Sequence, residues 1–363
     1  MPERPRLAVV GCGYWGSKHI RVAAECATVE MALAVDSRIE RLEYVRSMYP
    51  GVATSPSLAV ALDDERIDGI VLATPISTHY DLARAALLAG KHVLVEKPLA
   101  TTEDEARDLL DLADRQDRVL MVGHTFEYHP AVAYLRDLVA SGELGDIHYV
   151  DSVRLNLGLF QRDANVLWDL APHDLSIIFF ILGRQPRTIS AWGHSHIVPD
   201  IEDVAFANLT FGDGISAHLH VSWLDPCKVR RVTVAGSRAM AVFDDVALTE
   251  KVRIYDKRFS FAPTGDRYAD FQAGYHYGNV VIPPISTAEP LALECADFAQ
   301  AIATGRGVRA DGSSGLRVVA ALEAASRSLA HLGRVEPLTH ESELAPMLAG
   351  ASLDDRWAGY AAE

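Results

Sequence analysis

Residues 7–16 read Leu7-Ala8-Val9-Val10-Gly11-Cys12-Gly13-Tyr14-Trp15-Gly16, an apolar strand that runs into three glycines at G-x-G-x-x-G spacing. The stretch that follows, Trp15 to Cys26, has helical patterning, so the glycines sit where a strand turns into a helix. Gly11 permits the tight turn. Gly13 lets a pyrophosphate approach the backbone, and Gly16 lets the helix pack against the strand. The amides at the helix start form a seat for an anion, with Tyr14 and Trp15 counted among the contacts of the loop. Asp36 stands twenty residues beyond Gly16, at the end of a second strand, Glu30 to Val35. A carboxylate there bonds the ribose hydroxyls of a dinucleotide and repels a 2′-phosphate. That favours NAD over NADP, and Arg38, two residues on, softens the preference.

Outward from this loop the rhythm is strand, helix, strand. Gly69–Ala73 and His92–Val95 are near-continuous apolar runs, as expected of strands buried on both faces of a parallel sheet. Helical stretches run from about Ile39 to Met48, His79 to Leu88 and Thr102 to Asp114, and Val119–Val122 closes the unit. Residues 1–122 therefore predict an α/β Rossmann domain, a doubly wound parallel sheet. After Gly123 strands follow strands. Ile215, Ala217, Leu219 and Val221 alternate with Ser216, His218, His220 and Ser222, the mark of a half-buried antiparallel strand. Residues 123–335 predict a C-terminal α+β domain with an open, mainly antiparallel sheet. An apolar helix runs from about Pro172 to Leu182, and two late helices cover Leu291–Ala303 and Ser313–Leu332. Phe259–Ser286, aromatic and rich in Gly and Pro, reads as one long loop. Residues 336–363 read as a peripheral tail.

The 363 residues suit two domains better than one core. A formal charge of −15 argues against nucleic acid and anionic membrane as partners, since both demand a basic face. No apolar run approaches the ~20 residues of a membrane span. No apolar signal region precedes the first strand, and the four cysteines have neither metal-ligand spacing nor a disulfide framework. The expectation is a cytoplasmic protein with reduced thiols.

At the fifth strand the chain reads Glu96-Lys97-Pro98, and the fourth ends in Ala73-Thr74-Pro75. With the glycine loop, the Glu289-Pro290-Leu291 opening of a late helix and the Asp311-Gly312 turn, these resemble the Gfo/Idh/MocA oxidoreductase family across essentially the whole chain. The resemblance implies a Rossmann domain followed by an open-sheet domain. It implies oxidation or reduction of a carbinol on a sugar, aminosugar, cyclitol or nucleotide sugar, with the NAD expected from Asp36 as cofactor. It makes Lys97 the catalytic lysine and carries Thr74, Pro75, His79, Glu96 and Lys97 into the cofactor site. It also implies a homodimer or homotetramer joined through the open sheet.

A second family element is an Asp and a His four residues apart, here Asp169 and His173. That spacing puts both on one helix face. Pro172 is best tolerated in a first turn, so the helix is expected to start near Asp169, with His173 at its positive end. The dipole favours a neutral imidazole, a usable base, and Asp169 is placed to steady the imidazolium once formed. Where many members carry a glycine-rich run, this chain has Asp163-Ala164-Asn165-Val166-Leu167. Tyr128, Arg154 and Asn165 are further candidate substrate contacts, with His124 beside them. The pairs His194/His196 and His218/His220 lack further ligands, so no metal is expected.

The expected reaction is reversible hydride transfer between a secondary carbinol and nicotinamide, with His173 as base, Lys97 as oxyanion donor and Asp169 orienting His173. Two other readings stay open on the same fold. One is a dinucleotide-sensing regulatory protein; the other is an NAD-dependent glycosidase or lyase that returns the hydride.

Overall fold

The computed structural model describes residues 4–338 apart from 159, 161–163 and 264–270. Its first half alternates strands and helices: β1 (Arg6–Val10), α1 (Tyr14–Glu25), β2 (Glu30–Val35), α2 (Ile39–Met48), β3 (Ala53–Ser55), α3 (Ala59–Asp63), β4 (Gly69–Leu72), α4 (His79–Leu88), β5 (His92–Glu96), α5 (Glu103–Gln116) and β6 (Leu120–Gly123). The six strands are parallel, in the order β3-β2-β1-β4-β5-β6. β1 and β4 are neighbours, yet the chain leaves them in opposite directions. This reversal opens a crevice beyond their carboxyl ends, the place where ligands bind in such sheets. Leu7, Ala8, Val9, Ile70, Leu72, Val93 and Val95 are fully or almost fully buried, which explains their unbroken apolar runs.

The second half holds α6 (Pro130–Ala140), β7 (Ile147–Leu157), α7 (Val166–Leu182), β8 (Thr188–His194), β9 (Val204–Thr210), β10 (Ser216–Ser222), β11 (Leu224–Gly236), β12 (Met240–Asp244), β13 (Val252–Pro263), β14 (Phe271–Val281), α8 (Pro290–Thr304), α9 (Gly312–Ala330) and β15 (Glu336–Pro337). Its nine strands run in the order β14-β13-β12-β11-β7-β10-β9-β8-β15, antiparallel except where β7 meets β10. One face carries the core: Ala217, Leu219 and Val221 of β10 pack with Leu135 of α6, Ile177 and Ile178 of α7 and Leu322 of α9. The alternate residues Ser216, His218 and His220 point the other way.

Two late helices cross back to the first half. Leu291, Cys295 and Phe298 of α8 share a core with Leu7, Val9 and Ile20, while Leu316 and Val319 of α9 pack with Leu109, Leu120 and Val122. Among the described residues no helix is long and apolar enough to cross a membrane.

Two expectations are corrected. Phe259–Ser286 is not one loop: β13 extends through Pro263 and pairs antiparallel with β14, from Ile254↔Val281 to Pro263↔Phe271. The aromatic residues there serve strand formation, which suits them as well as a loop. Helix α7 begins at Val166, not near Asp169, because Asn165 caps it: its side-chain oxygen accepts from the Trp168 amide at 3.1 Å. Pro172 therefore lies inside the helix, and the Trp168 carbonyl loses its usual i+4 donor.

Candidate active site

The crevice beyond β1 and β4 is built by the glycine loop. Gly11 has φ +88°, and a Cβ there would stand 2.4 Å from the Ala73 carbonyl oxygen at the end of β4. A Cβ on Gly16 would stand 1.6 Å from the Gly11 oxygen, so loop and helix could not approach as they do. A Cβ on Gly13 would meet only the Arg38 guanidinium, at 3.9 Å, so the space above it is open. Gly13 is also the N-cap of α1, offers no side-chain cap, and no acidic residue occupies the first turn. Open space over uncapped amides is what a dinucleotide pyrophosphate requires, so these residues fit such a group. Tyr14 and Trp15 project outward from the first turn, with the Lys18 ammonium 4.8 and 5.5 Å from their ring centres.

Asp36 ends β2 beside the loop. Its carboxylate accepts from the Cys12 amide at 2.7 Å, the Arg38 amide at 2.9 Å and the Arg38 guanidinium at 3.1 Å on each oxygen. Burial alone would raise this carboxyl; Arg38 and the two amides outweigh it and hold the group below the usual carboxylate range. Thr74 and Pro75 continue from β4, where the Thr74 hydroxyl accepts from that of Thr78 at 2.8 Å.

His79 and Glu96, both expected in the cofactor site, are buried and bonded within the chain. His79 is buried with its ring nitrogens 2.8 Å from the Pro98 carbonyl and 3.0 Å from the Thr74 carbonyl. It ties the ends of β4 and β5 together. Glu96 is buried against His19 of α1 at 2.8 Å, and its other oxygen accepts from the Lys97 amide at 3.2 Å. Burial would raise Glu96; His19 and then Lys97 pull it below the usual range. His19 carried no signal in the sequence beyond its place on the helix.

Lys97 emerges from the carboxyl end of β5 and reaches α7. Its ammonium donates to the Asp169 main-chain oxygen at 2.7 Å and lies 3.7 Å from the Asp169 carboxylate. The other carboxylate oxygen of Asp169 accepts from the indole of the buried Trp223 at 3.0 Å. Asp169 thus holds Lys97 and not His173, contrary to expectation: an i,i+4 pair shares a face, but the carboxylate turns toward the nearer cation. His173 is partly exposed and packs edge-on against Phe126 at 5.2 Å, with Nδ1 buried and unpartnered. Burial, then the charges of Lys97, Arg154 and Arg230, hold its imidazole well below the usual range.

Three candidate substrate contacts are occupied elsewhere. Arg154 is buried, with its guanidinium on Asp174 at 2.5 and 3.2 Å and stacked 4.6 Å from the Phe126 ring. A strand residue facing the helical layer cannot also face the crevice. Tyr128 is buried and its hydroxyl donates to Asp297 at 2.6 Å. Asn165 caps α7 and donates to Glu202 at 2.7 Å; it also lines a cavity of about 350 Å³ with Ile76, Thr101, Trp168 and Asp200. His124 is completely buried, with neither ring nitrogen partnered. His218 bonds Asp151 at 3.0 Å and His220 stacks on Phe206 at 4.3 Å. No group of three potential metal ligands occurs among the described residues.

Comparison with known proteins agrees with this architecture. The NAD-binding Rossmann-fold model of the Gfo/Idh/MocA oxidoreductases matches residues 5–124, and the model of their C-terminal domain matches residues 132–242. The UDP-N-acetylglucosamine 3-dehydrogenase of Acidithiobacillus ferrooxidans is 31% identical over 333 residues, 87% of this chain and 94% of that protein. Its crystal structure superposes with a TM-score of 0.76, covering 90% of this chain and 98% of that one. GenD2 from gentamicin A biosynthesis, solved in complex with NAD, is 26% identical with a TM-score of 0.78 over 93% of this chain and 97% of that one. Inositol 2-dehydrogenase of Rhizobium meliloti is 23% identical across 90% of this chain and 97% of its own length. The chain is an NAD-binding oxidoreductase and belongs to the Gfo/Idh/MocA family.

Proposed function

We propose that the protein catalyses reversible hydride transfer between NAD and a secondary carbinol or ketone of a sugar, aminosugar, cyclitol or nucleotide sugar. The observation that carries this reading is the Lys97–Asp169 bridge, which holds an ammonium just past the carboxyl end of β5 against α7, one helical turn before His173. Bound nicotinamide would accept or supply the hydride. Lys97 donates a hydrogen bond to the carbinol oxygen and stabilises the negative charge that grows there. His173, kept neutral by partial burial and the neighbouring Lys97 charge, takes the hydroxyl proton on its accessible side. Asp169 keeps Lys97 aimed at the crevice, and Trp223 keeps Asp169 turned toward Lys97.

Asp36 supports NAD over NADP. Its oxygens already hold the Arg38 guanidinium, so a 2′-phosphate would meet a carboxylate before it met a free cation. The test is a panel of sugars, aminosugars and cyclitols, free and nucleotide-linked, followed by NADH absorbance with both cofactors. Substrate-dependent NADH formation is the expected result. Product without net NADH would mean that the hydride is returned, and no turnover with any member would favour a sensor. A specificity constant about tenfold better with NADP, roughly 1.4 kcal/mol, would overturn the cofactor preference.

A further inference from the structure

The cavity at the start of α7 is lined from both halves of the chain. Ile76 follows the end of β4 and Thr101 follows β5, while Asn165 and Trp168 open α7 and Asp200 comes from the turn between β8 and β9. Trp168 immediately precedes Asp169, whose main-chain oxygen and carboxylate hold the Lys97 ammonium, so the cavity adjoins that bridge. Its volume, about 350 Å³, is within the range of small-molecule pockets.

The walls are fixed. The Trp168 indole donates to the Ser326 hydroxyl of α9 at 2.9 Å. Asn165 donates to the Glu202 carboxylate at 2.7 Å, and the Val166 amide donates to the Glu202 main-chain oxygen at 2.9 Å, which ties the turn to the start of α7. The base of the turn is closed by the buried Asp203 carboxylate, which accepts from the His196 and Ile197 amides at 2.7 and 2.9 Å. At its tip the Ile201 amide donates to the Val198 carbonyl at 3.3 Å, with Asp200 at φ +62°, where glycine is usual.

These bonds decide what the cavity offers a ligand. The Trp168 N–H is spent on Ser326, the Thr101 hydroxyl donates to Glu105 at 2.7 Å, and one Asn165 amide hydrogen is spent on Glu202. The Asp200 carboxylate is exposed and, among the described residues, accepts from none. No lysine, arginine or histidine is among the described residues that line the cavity. What remains is a carboxylate and a hydroxyl oxygen that can only accept, one amide hydrogen, and the apolar surface of Ile76 and Trp168. Such walls suit a ring with a cationic, donor-rich substituent and offer a phosphate nothing.

We propose that this cavity is a subsite for the ammonium group of an aminosugar, with Asp200 as the residue that selects it. The inference rests on the carbohydrate oxidoreductase reading above and narrows it. With the carbinol at Lys97, the amine-bearing part of the sugar reaches the turn. The ammonium donates to the Asp200 carboxylate and the Thr101 oxygen, a ring hydroxyl accepts from Asn165, and the ring rests against Trp168.

The test uses the full-length protein loaded with NADH, which prevents oxidation during the titration. Binding of glucosamine, 3-amino-3-deoxyglucose and 6-amino-6-deoxyglucose is compared with that of glucose by calorimetry, and NADH formation from NAD is followed separately on the same panel. At least one amine should bind about tenfold more tightly than glucose, as a hydrogen bond between charged groups allows. Asp200→Asn keeps the side-chain shape and tolerates the positive φ. It should bring that ratio close to one and, for an amine that is turned over, raise KM about tenfold with kcat nearly unchanged. Asp200→Gly relaxes the turn and should lose the preference equally, which separates charge from backbone strain. No preference for any amine, or a preference that survives Asp200→Asn, would overturn the subsite. Asp200-dependent binding of an amine without NADH formation would leave the subsite standing and remove the hydride-transfer reading. Turnover of sugars indifferent to Asp200 would do the reverse.

Discussion

Lys97 is fastened to two atoms of one residue, the carbonyl and the carboxylate of Asp169, and each bond crosses from β5 to α7. Removing the ammonium should therefore affect chemistry more than cofactor binding. Lys97→Met is expected to lower turnover by about 10²–10⁴-fold with NAD affinity nearly intact, measured by steady-state kinetics and cofactor titration. Asp169→Asn should cost less, since it leaves the carbonyl contact in place. A loss of NAD binding equal to the loss of rate would assign Lys97 to the cofactor alone. His173 makes a second prediction. Burial and the Lys97 charge hold its imidazole well below the usual range. The acid limb of kcat/KM should accordingly lie below pH 6.5, and a limb at or above that value would remove His173 as the base. The glycine loop was legible in the sequence because it joins the end of a strand to the start of a helix, whereas Lys97 and Asp169 were singled out by the family resemblance. The partners of Asp169 were not. Trp223 lies 54 positions away, and only the packed sheet brings its indole to that carboxylate. Arg154 illustrates the same limit: strand alternation assigns a side chain to a face, but not to the buried Asp174 waiting on it.

At the level of elements, α7 shows how a cap can outrank a proline. Asn165 precedes three apolar residues, Val166, Leu167 and Trp168, of which the first two are buried. Its side chain satisfies one of the free amides of the first turn, so the helix starts there and accommodates Pro172 in its second turn. Asn165→Ala is expected to destabilise the protein by about 1 kcal/mol, measured by denaturant unfolding, because both the cap and the bond to Glu202 are lost. A wholly neutral substitution would mean that packing of Val166 and Leu167 alone sets the start. The β13–β14 pair carries the opposite lesson. Glycine, proline and aromatic residues in one stretch suggested a loop, yet cross-strand pairing overrode composition.

Across the molecule, titratable groups shielded from water lie about the segment that joins the two sheets. His124 is held down to about 3 and His173 well below the usual range, burial being the first cause of each. In the unfolded chain both would protonate near pH 6.5, so the unfolded state takes up protons that the folded state refuses, and stability falls as pH drops below that value. Glu127 is the reverse case: burial raises it to about 8, and the folded chain keeps a proton that the unfolded chain has lost. Stability then falls as pH rises from the ordinary carboxylate range toward 8. Glu127→Gln should raise the melting temperature by a few °C at pH 8, at roughly 2–4 °C per kcal/mol, with little change at pH 4. An equal shift at both values would tie the effect to packing instead of ionisation. The open sheet face belongs to this scale as well. Arg231, Val242, Arg253 and Tyr255 line a cavity of about 480 Å³ on it, and we propose that a second copy of the chain covers this face. Light scattering at micromolar concentration should report a dimer or larger, and a clean monomer would reject it.

The return of α8 to the first sheet has a consequence for how the chain is made. Leu7, Val9 and Ile20 emerge early in synthesis, but Leu291 and Phe298, which cover them, emerge about 270 residues later. At about 5–20 residues per second, the nascent cofactor domain waits roughly ten seconds to a minute with that apolar face uncovered. The half-made chain thus presents that apolar face to its surroundings until α8 has left the ribosome.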